Sequence, residues 1–214
     1  MRRNALGLLM IGLLALTLAA PGNASENSRW DFTVYLDDKK IGQHSFEVSS
    51  TGGLTSVQSE AKFKYTILLI PAYRYEHSAS ERWSDNCLLG LDAQTNANGD
   101  RISVSGEIVE DSFKVVRDDR PVELPECVMS FAYWNPDFLQ QSRLLNPQTG
   151  EYVDVSVEDL GEEVLEVRGE PVPATRFRLT AYEVDVTLWY SPEDEWLALE
   201  SVAKGGRTIR YELS

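Results

Sequence analysis

The sequence predicts an all-β protein, an antiparallel and strongly curved sheet or open β-barrel built from two related meanders with one short connecting helix. Three observations predict it. Apolar and polar residues alternate with period two through most of the chain. Turns rich in Gly, Asn and Asp punctuate that alternation. A helix start is legible only at Asn135-Pro136, with Asn at the cap and Pro at the first helical position.

In chain order, Arg2 and Arg3, the apolar run Ala5 to Ala20, and the small residues around Gly22-Asn23-Ala24 read as a signal peptide, residues 1–24. Cleavage after Ala24 implies a periplasmic or secreted protein. No later stretch is long and apolar enough to span a bilayer. The remaining chain, about 190 residues, suffices for a single all-β domain over 25–214. It divides into an N-terminal β-unit (29–129), a connector (130–150) and a C-terminal β-unit (151–214). The net charge is −14, and loss of Arg2 and Arg3 takes it to −16. Such a surface repels nucleic acid and anionic headgroups and leaves cationic partners open.

Trp30, Phe32, Val34 and Leu36 alternate with polar residues as a half-buried strand, and Asp37 to Lys40 turns the chain. Gly42, His44, Phe46 and Val48 share one face of the next strand. In the third, Val57, Ala61, Phe63, Tyr65 and Ile67 oppose Gln58, Glu60, Lys62, Lys64 and Thr66. Leu68-Leu69-Ile70-Pro71 breaks the alternation, which predicts a bend. Tyr73, Tyr75, His77, Glu81 and Trp83 then line one face of a fourth strand. Strands are also predicted at 87–95, 101–108, 113–117, 152–157, 164–167, 173–181, 184–190, 197–203 and 207–213. Between these sets, Pro136 to Gln141 forms the short helix, with Phe138 and Leu139 anchoring it. Asn146-Pro147-Gln148-Thr149-Gly150 forms a tight turn.

Trp83-Ser84-Asp85, Leu89-x-Leu91-Asp92 and Arg101-Ile102 match Trp189-Tyr190-Ser191, Leu197-x-Leu199-Glu200 and Arg207-x-Ile209. Ile41 to Phe46 and Val172 to Phe177 match upstream. Two blocks in the same order favour an internal duplication over chance likeness between meanders.

Cys87 and Cys127 are the only cysteines. In an exported chain a disulfide is expected, provided the Cα atoms lie within about 7 Å. His44 and His77, the only histidines, lie on the aromatic faces of their strands. Zinc held by them with Glu81 is disfavoured, because Glu81 stands about 13 Å along the strand from His77. The patterns of nucleophile elbows, zinc proteases and P-loops are missing, and no cofactor or metal is expected. Among the aromatics, Tyr133 and Trp134 precede a loop rather than sit mid-strand. With Tyr75, His77 and Trp83 they are the candidate ligand-binding residues, either the lip of a site or a clasp between the two halves.

These residues also carry a resemblance. Val34-Tyr35-Leu36-Asp37 with Ile41-Gly42-x-His44-x-Phe46, Tyr73-x-Tyr75-x-His77 with Glu81-Arg82-Trp83, Phe131-Ala132-Tyr133-Trp134-Asn135-Pro136, Leu144 to Gly150, and Leu188-Trp189-Tyr190-Ser191 resemble the exported bacterial domain of unknown function 6134 family. More distantly the chain is similar to the 3108 family of exported unknowns. The resemblance implies an all-β periplasmic domain and brings no activity. The leading expectation is a non-enzymatic envelope protein that binds a hydrophobic or glycan ligand, or an envelope partner. The alternatives are a hydrolase using His77 with a carboxylate, and a purely structural interaction module.

Overall fold

The computed structural model describes residues 26–67, 70–203 and 205–214. The predicted leader and the Leu68-Leu69 part of the predicted bend lie outside the described residues. Eight strands come first: β1 (Glu26–Leu36), β2 (Lys39–Thr51), β3 (Leu54–Ile67), β4 (Ile70–Ser84), β5 (Cys87–Ala97), β6 (Asp100–Val109), β7 (Ser112–Arg117) and β8 (Arg120–Pro125). After a short 3-10 helix (Pro136–Gln140) come β9 (Arg143–Leu145), β10 (Tyr152–Val167), β11 (Glu170–Ala181), β12 (Val184–Tyr190), β13 (Trp196–Ala203) and β14 (Arg207–Leu213). All fourteen join one antiparallel sheet in the order β8 back to β1, then β14 back to β9. Sequence neighbours pair through tight turns. The one long-range pairing sets β1 beside β14, with Val34 opposite Tyr211. The sheet is therefore an open curl whose terminal strands are β8 and β9, and β9 is bridged on its outer side by Ser130 opposite Leu145.

Two-residue turns join most neighbouring strands of the described chain. Asn98-Gly99 closes β5 to β6 with φ of 55° and 101°, the left-handed geometry that matches strand twist and that Asn and Gly tolerate best. A different constraint acts at Gly42, where a Cβ would lie 1.9 Å from the Lys62 carbonyl oxygen. β2 and β3 approach too closely there for any side chain.

The alternation sorts the two faces. Inward residues Phe32, Phe46, Val57, Trp83, Leu91, Leu179, Leu188 and Trp196 form one core. Gln58, Glu60, Lys62, Lys64, Arg74 and Glu76 point outward, so the exterior is polar where a membrane barrel would carry an apolar band. Among the described residues no helix is long and apolar enough to cross a membrane.

The connector does not cap the curl from outside. It runs through the interior: Ala132, Phe138, Leu144 and Leu145, with Val128 and Met129 just before it, are buried in the same core. Backbone bonds hold it on both sides: Leu88 N–H donates to the Val128 carbonyl (2.9 Å), and Leu145 N–H to that of Met129 (2.8 Å). Cys87 and Cys127 are disulfide-bonded with Cα atoms 4.8 Å apart, tying the start of the connector to the start of β5. An open sheet this curved needs a filling, and the connector supplies it.

The helix forms as 3-10 rather than α. Asn135 Oδ1 accepts from Asp137 N–H, and Asn135 Nδ2 donates to Asn86 Oδ1 (3.1 Å). Asn135→Ala is expected to lower stability by about 1 kcal/mol, read as a fall in the urea midpoint at constant m-value. An unchanged midpoint would show that the cap is dispensable.

Several features differ from expectation, and β9, like β8, has no counterpart among the predicted strands. β8 carries Pro121 and Pro125, which argue against a strand from sequence, yet an edge strand tolerates them. The segments expected at 152–157 and 164–167 are one strand, β10, with a bulge between Asp159 and Glu162 at Gly161 (φ 87°). In the two hairpins matched by sequence, Trp83 pairs with Leu88 and Tyr190 with Trp196. Pairing thus matches Trp83 with Tyr190. Trp189 instead sits in a separate cluster with Ala174, Leu197 and Ala198.

Candidate functional site

Register brings His44, Ala61, His77 and Thr95 into one row across β2 to β5. His44 Nε2 lies 2.8 Å from Ser59 Oγ and Nδ1 lies 3.3 Å from Tyr211 Oη. His77 Nδ1 lies 3.0 Å from Thr95 Oγ1. Burial pushes His44 down to about 3, with the neighbouring His77 charge adding to the effect. Burial also pushes His77 down to about 4, against a bond to the Gln94 carbonyl that favours the charged form. Both rings are therefore neutral at pH 7. Tyr75 stacks on Phe63 with ring centroids 5.3 Å apart, and its hydroxyl donates to Gln148 Oε1 (2.7 Å). Thr95 Oγ1 donates to the Gln148 carbonyl (3.4 Å), so the Asn146–Gly150 turn is pinned to β4 and β5.

Further along β4 from His77, the interior changes character. Glu81 is 6% exposed and accepts from Ser130 Oγ (3.0 Å) and Trp83 Nε1 (3.1 Å). Burial raises its carboxyl to about 7, and the two donors work in the opposite direction. The Trp83 ring meets Trp134 edge-on at 5.6 Å. Trp134 Nε1 is buried without a partner. Tyr133 packs on Trp196 (5.4 Å) and Phe138 (5.5 Å), and its carbonyl accepts from Tyr190 Oη (2.8 Å).

The five residues singled out from sequence therefore fall into three places. Tyr75 and His77 stack on each other, Trp83 meets Trp134, and Tyr133 fastens the connector to β12. Trp83 is 0% exposed and presents no surface. Among the described residues, no three His, Cys, Asp or Glu side chains gather as a metal-ligand set.

The concave feature near the connector lies on the other side of its helix. A groove of about 410 Å³ runs between Leu139 of the helix and Val157, Phe177 and Tyr190 of the facing strands, with Asp137, Asp159 and Asp194 also lining it. It exists because Phe138 turns inward at 0% exposure while the adjacent Leu139 stays half-buried toward β10 to β12. Phe177 and Tyr190 meet edge-on at 6.2 Å along one wall. A second hollow of about 630 Å³ lies over the serine-rich outer rows of β3 to β6 and is the more polar of the two. Sequence did not point to the first groove, because its lining comes from four separated segments. The only local signal was Leu139, apolar beside the inward Phe138.

A family model described as domain of unknown function (DUF6134) matches residues 32–214. A comparison with curated proteins finds no match. Among solved structures, the crystal structure of a β-barrel-like protein of domain of unknown function DUF1849 from Brucella abortus is similar, with a TM-score of 0.65. The match covers 87% of this chain and 94% of that chain at 7% identity, a likeness of fold alone.

Proposed function

This chain belongs to the domain of unknown function 6134 family, and from that premise we propose that it is an exported, non-enzymatic envelope protein that holds a small hydrophobic ligand in the groove beside its connector helix. The groove carries the reading. Its volume of about 410 Å³ falls within the range of small-molecule sites, roughly 300–1,000 Å³. Leu139, Val157, Phe177 and Tyr190 give it an apolar wall that suits a hydrocarbon or aromatic body better than a glycan. Export is supported by the leader-like N-terminus and by the disulfide, which persists in oxidising compartments. A histidine-centred hydrolase has less support. The partner of His77 Nδ1 is a threonine hydroxyl, and the carboxyl of Glu81, four residues further along β4, is engaged by Ser130 and Trp83.

The test is titration with the neutral fluorophore N-phenyl-1-naphthylamine. Saturable fluorescence enhancement is expected, and Phe177→Ala should raise Kd about tenfold by removing part of an apolar wall. Absence of saturable binding, or an unchanged Kd in a folded Phe177→Ala variant, would overturn the reading.

A further inference from the structure

We propose that the groove selects a cationic amphiphile, seating an apolar chain against Leu139, Val157 and Phe177 and an ammonium or guanidinium group among Asp137, Asp159 and Asp194. This deepens the proposed function and rests on it. The three aspartates come from the helix, β10 and the β12–β13 turn, yet all line the same apolar groove. Among the described residues none of them forms an ion pair. Asp137 Oδ2 accepts from Asn86 Nδ2 (2.7 Å) and Asp159 Oδ1 from Gly161 N–H (2.8 Å), both neutral donors. Asp194 lies close enough for its charge to hold the Tyr190 hydroxyl further above its ordinary range, after the larger effects of burial and Tyr133.

The arginines of the flanking strands are committed elsewhere. Arg143 pairs with Asp154 (3.0 Å), Arg176 with Glu163 (3.6 Å) and Arg178 with Asp185 (2.7 Å). The groove thus combines an apolar wall with three carboxylates that no basic side chain among the described residues pairs with. A neutral or anionic amphiphile would leave those charges uncompensated, and an anion would be repelled by them. The net charge of −14 attracts the same class of ligand at longer range.

The experiment compares decyltrimethylammonium, decyl glucoside and decyl sulfate below their micelle concentrations, each displacing the neutral fluorophore. The cation should bind about tenfold more tightly than the neutral glucoside at low salt, as three solvent-facing charge contacts allow. That preference should shrink toward unity at 1 M salt. The variant Asp137→Asn/Asp159→Asn/Asp194→Asn should lose the preference and keep the fluorophore. A control of equal net charge, Glu158→Gln/Glu166→Gln/Glu170→Gln on the exposed side of the β10–β11 hairpin, should keep both. Equal loss of preference in the control, or its survival in the aspartate variant, overturns the inference. If the fluorophore binds but the three amphiphiles are not distinguished, this inference fails and the groove stands. If the fluorophore itself does not bind, the groove reading fails with it.

Discussion

Removing the Cys87–Cys127 disulfide should lower stability by about 4 kcal/mol, as expected on chain-entropy grounds for a cross-link of 40-residue separation. The loop it closes contains β5 to β8, which pair only with one another and with β4 in the sheet. It also clamps the connector where it enters the curl, one residue before Val128 accepts from Leu88 N–H. Without it, the unfolded chain gains freedom and the filling of the core loses its anchor. Cys87→Ala/Cys127→Ala compared with wild type by urea unfolding, with and without reductant, reads the effect. Wild type with reductant should match the double variant. A loss below about 1 kcal/mol would mean that core burial of Phe138, Leu144 and Leu145 holds the connector unaided. Because the helix lies nine residues downstream of Cys127 on the same connector, reductant should also weaken fluorophore binding in the groove.

Acidification from pH 6.5 to 4.5 should cost about 2 kcal/mol of stability, and Glu81→Gln should roughly double that dependence. His44 and His77 are held down to about 3 and about 4, against 6.5 when unfolded. Their contribution is present above pH 6.5 and is lost as pH falls toward the folded values, because the unfolded chain binds two protons that the folded chain does not. Glu81 runs the other way. Raised to about 7 from 4.5, its contribution is present below pH 4.5 and lost as pH rises through 7. Between 4.5 and 6.5 the net difference is one proton, at most about 1.4 kcal/mol per pH unit.

Glu81→Gln retains a carbonyl acceptor for Ser130 or Trp83 and removes the opposing titration, so the slope rises toward about 2.7 kcal/mol per unit. At pH 8 the same variant should be more stable than wild type by about 2 kcal/mol, since it no longer buries a carboxylate. Chemical denaturation at pH 4.5, 5.5, 6.5 and 8 checks both signs. A Glu81→Gln variant less stable at pH 8 would show that the bonds from Ser130 and Trp83 need the charge. The exposed carboxylates held low by arginines, Asp31, Asp37, Glu76 and Asp185, lose their contribution at lower pH and leave this window largely clear.

Strand positions were legible wherever one face is buried and the other solvated. β3 shows why: Val57, Ala61 and Phe63 are buried while Gln58, Glu60 and Lys62 are exposed, so period two is written directly into residue type. β8 was illegible because edge strands need neither a continuous apolar face nor all their N–H groups. The cysteine pair could be read from its count and from the expectation of export. The helix cap and the Gly150 turn (φ 72°) could be read from local chemistry. The groove could not, since Asp137, Asp159, Phe177 and Asp194 meet only after β9 to β12 are ordered against the connector.

The residues from Ser130 to Gly150 show the division most plainly. By itself the sequence determined that this stretch interrupts the alternation, starts a helix at Asn135-Pro136, and closes with a Pro-Gly turn, because caps and turns depend on side-chain chemistry within a few positions. Only the tertiary structure decided that the stretch passes through the curl as its core, that Ser130 meets Glu81, and that Leu139 faces a groove. Those outcomes depend on the pairing of β1 with β14. That contact between the two ends of the described chain joins the two runs of strands into one sheet whose inner face buries the connector, and no local pattern encodes it.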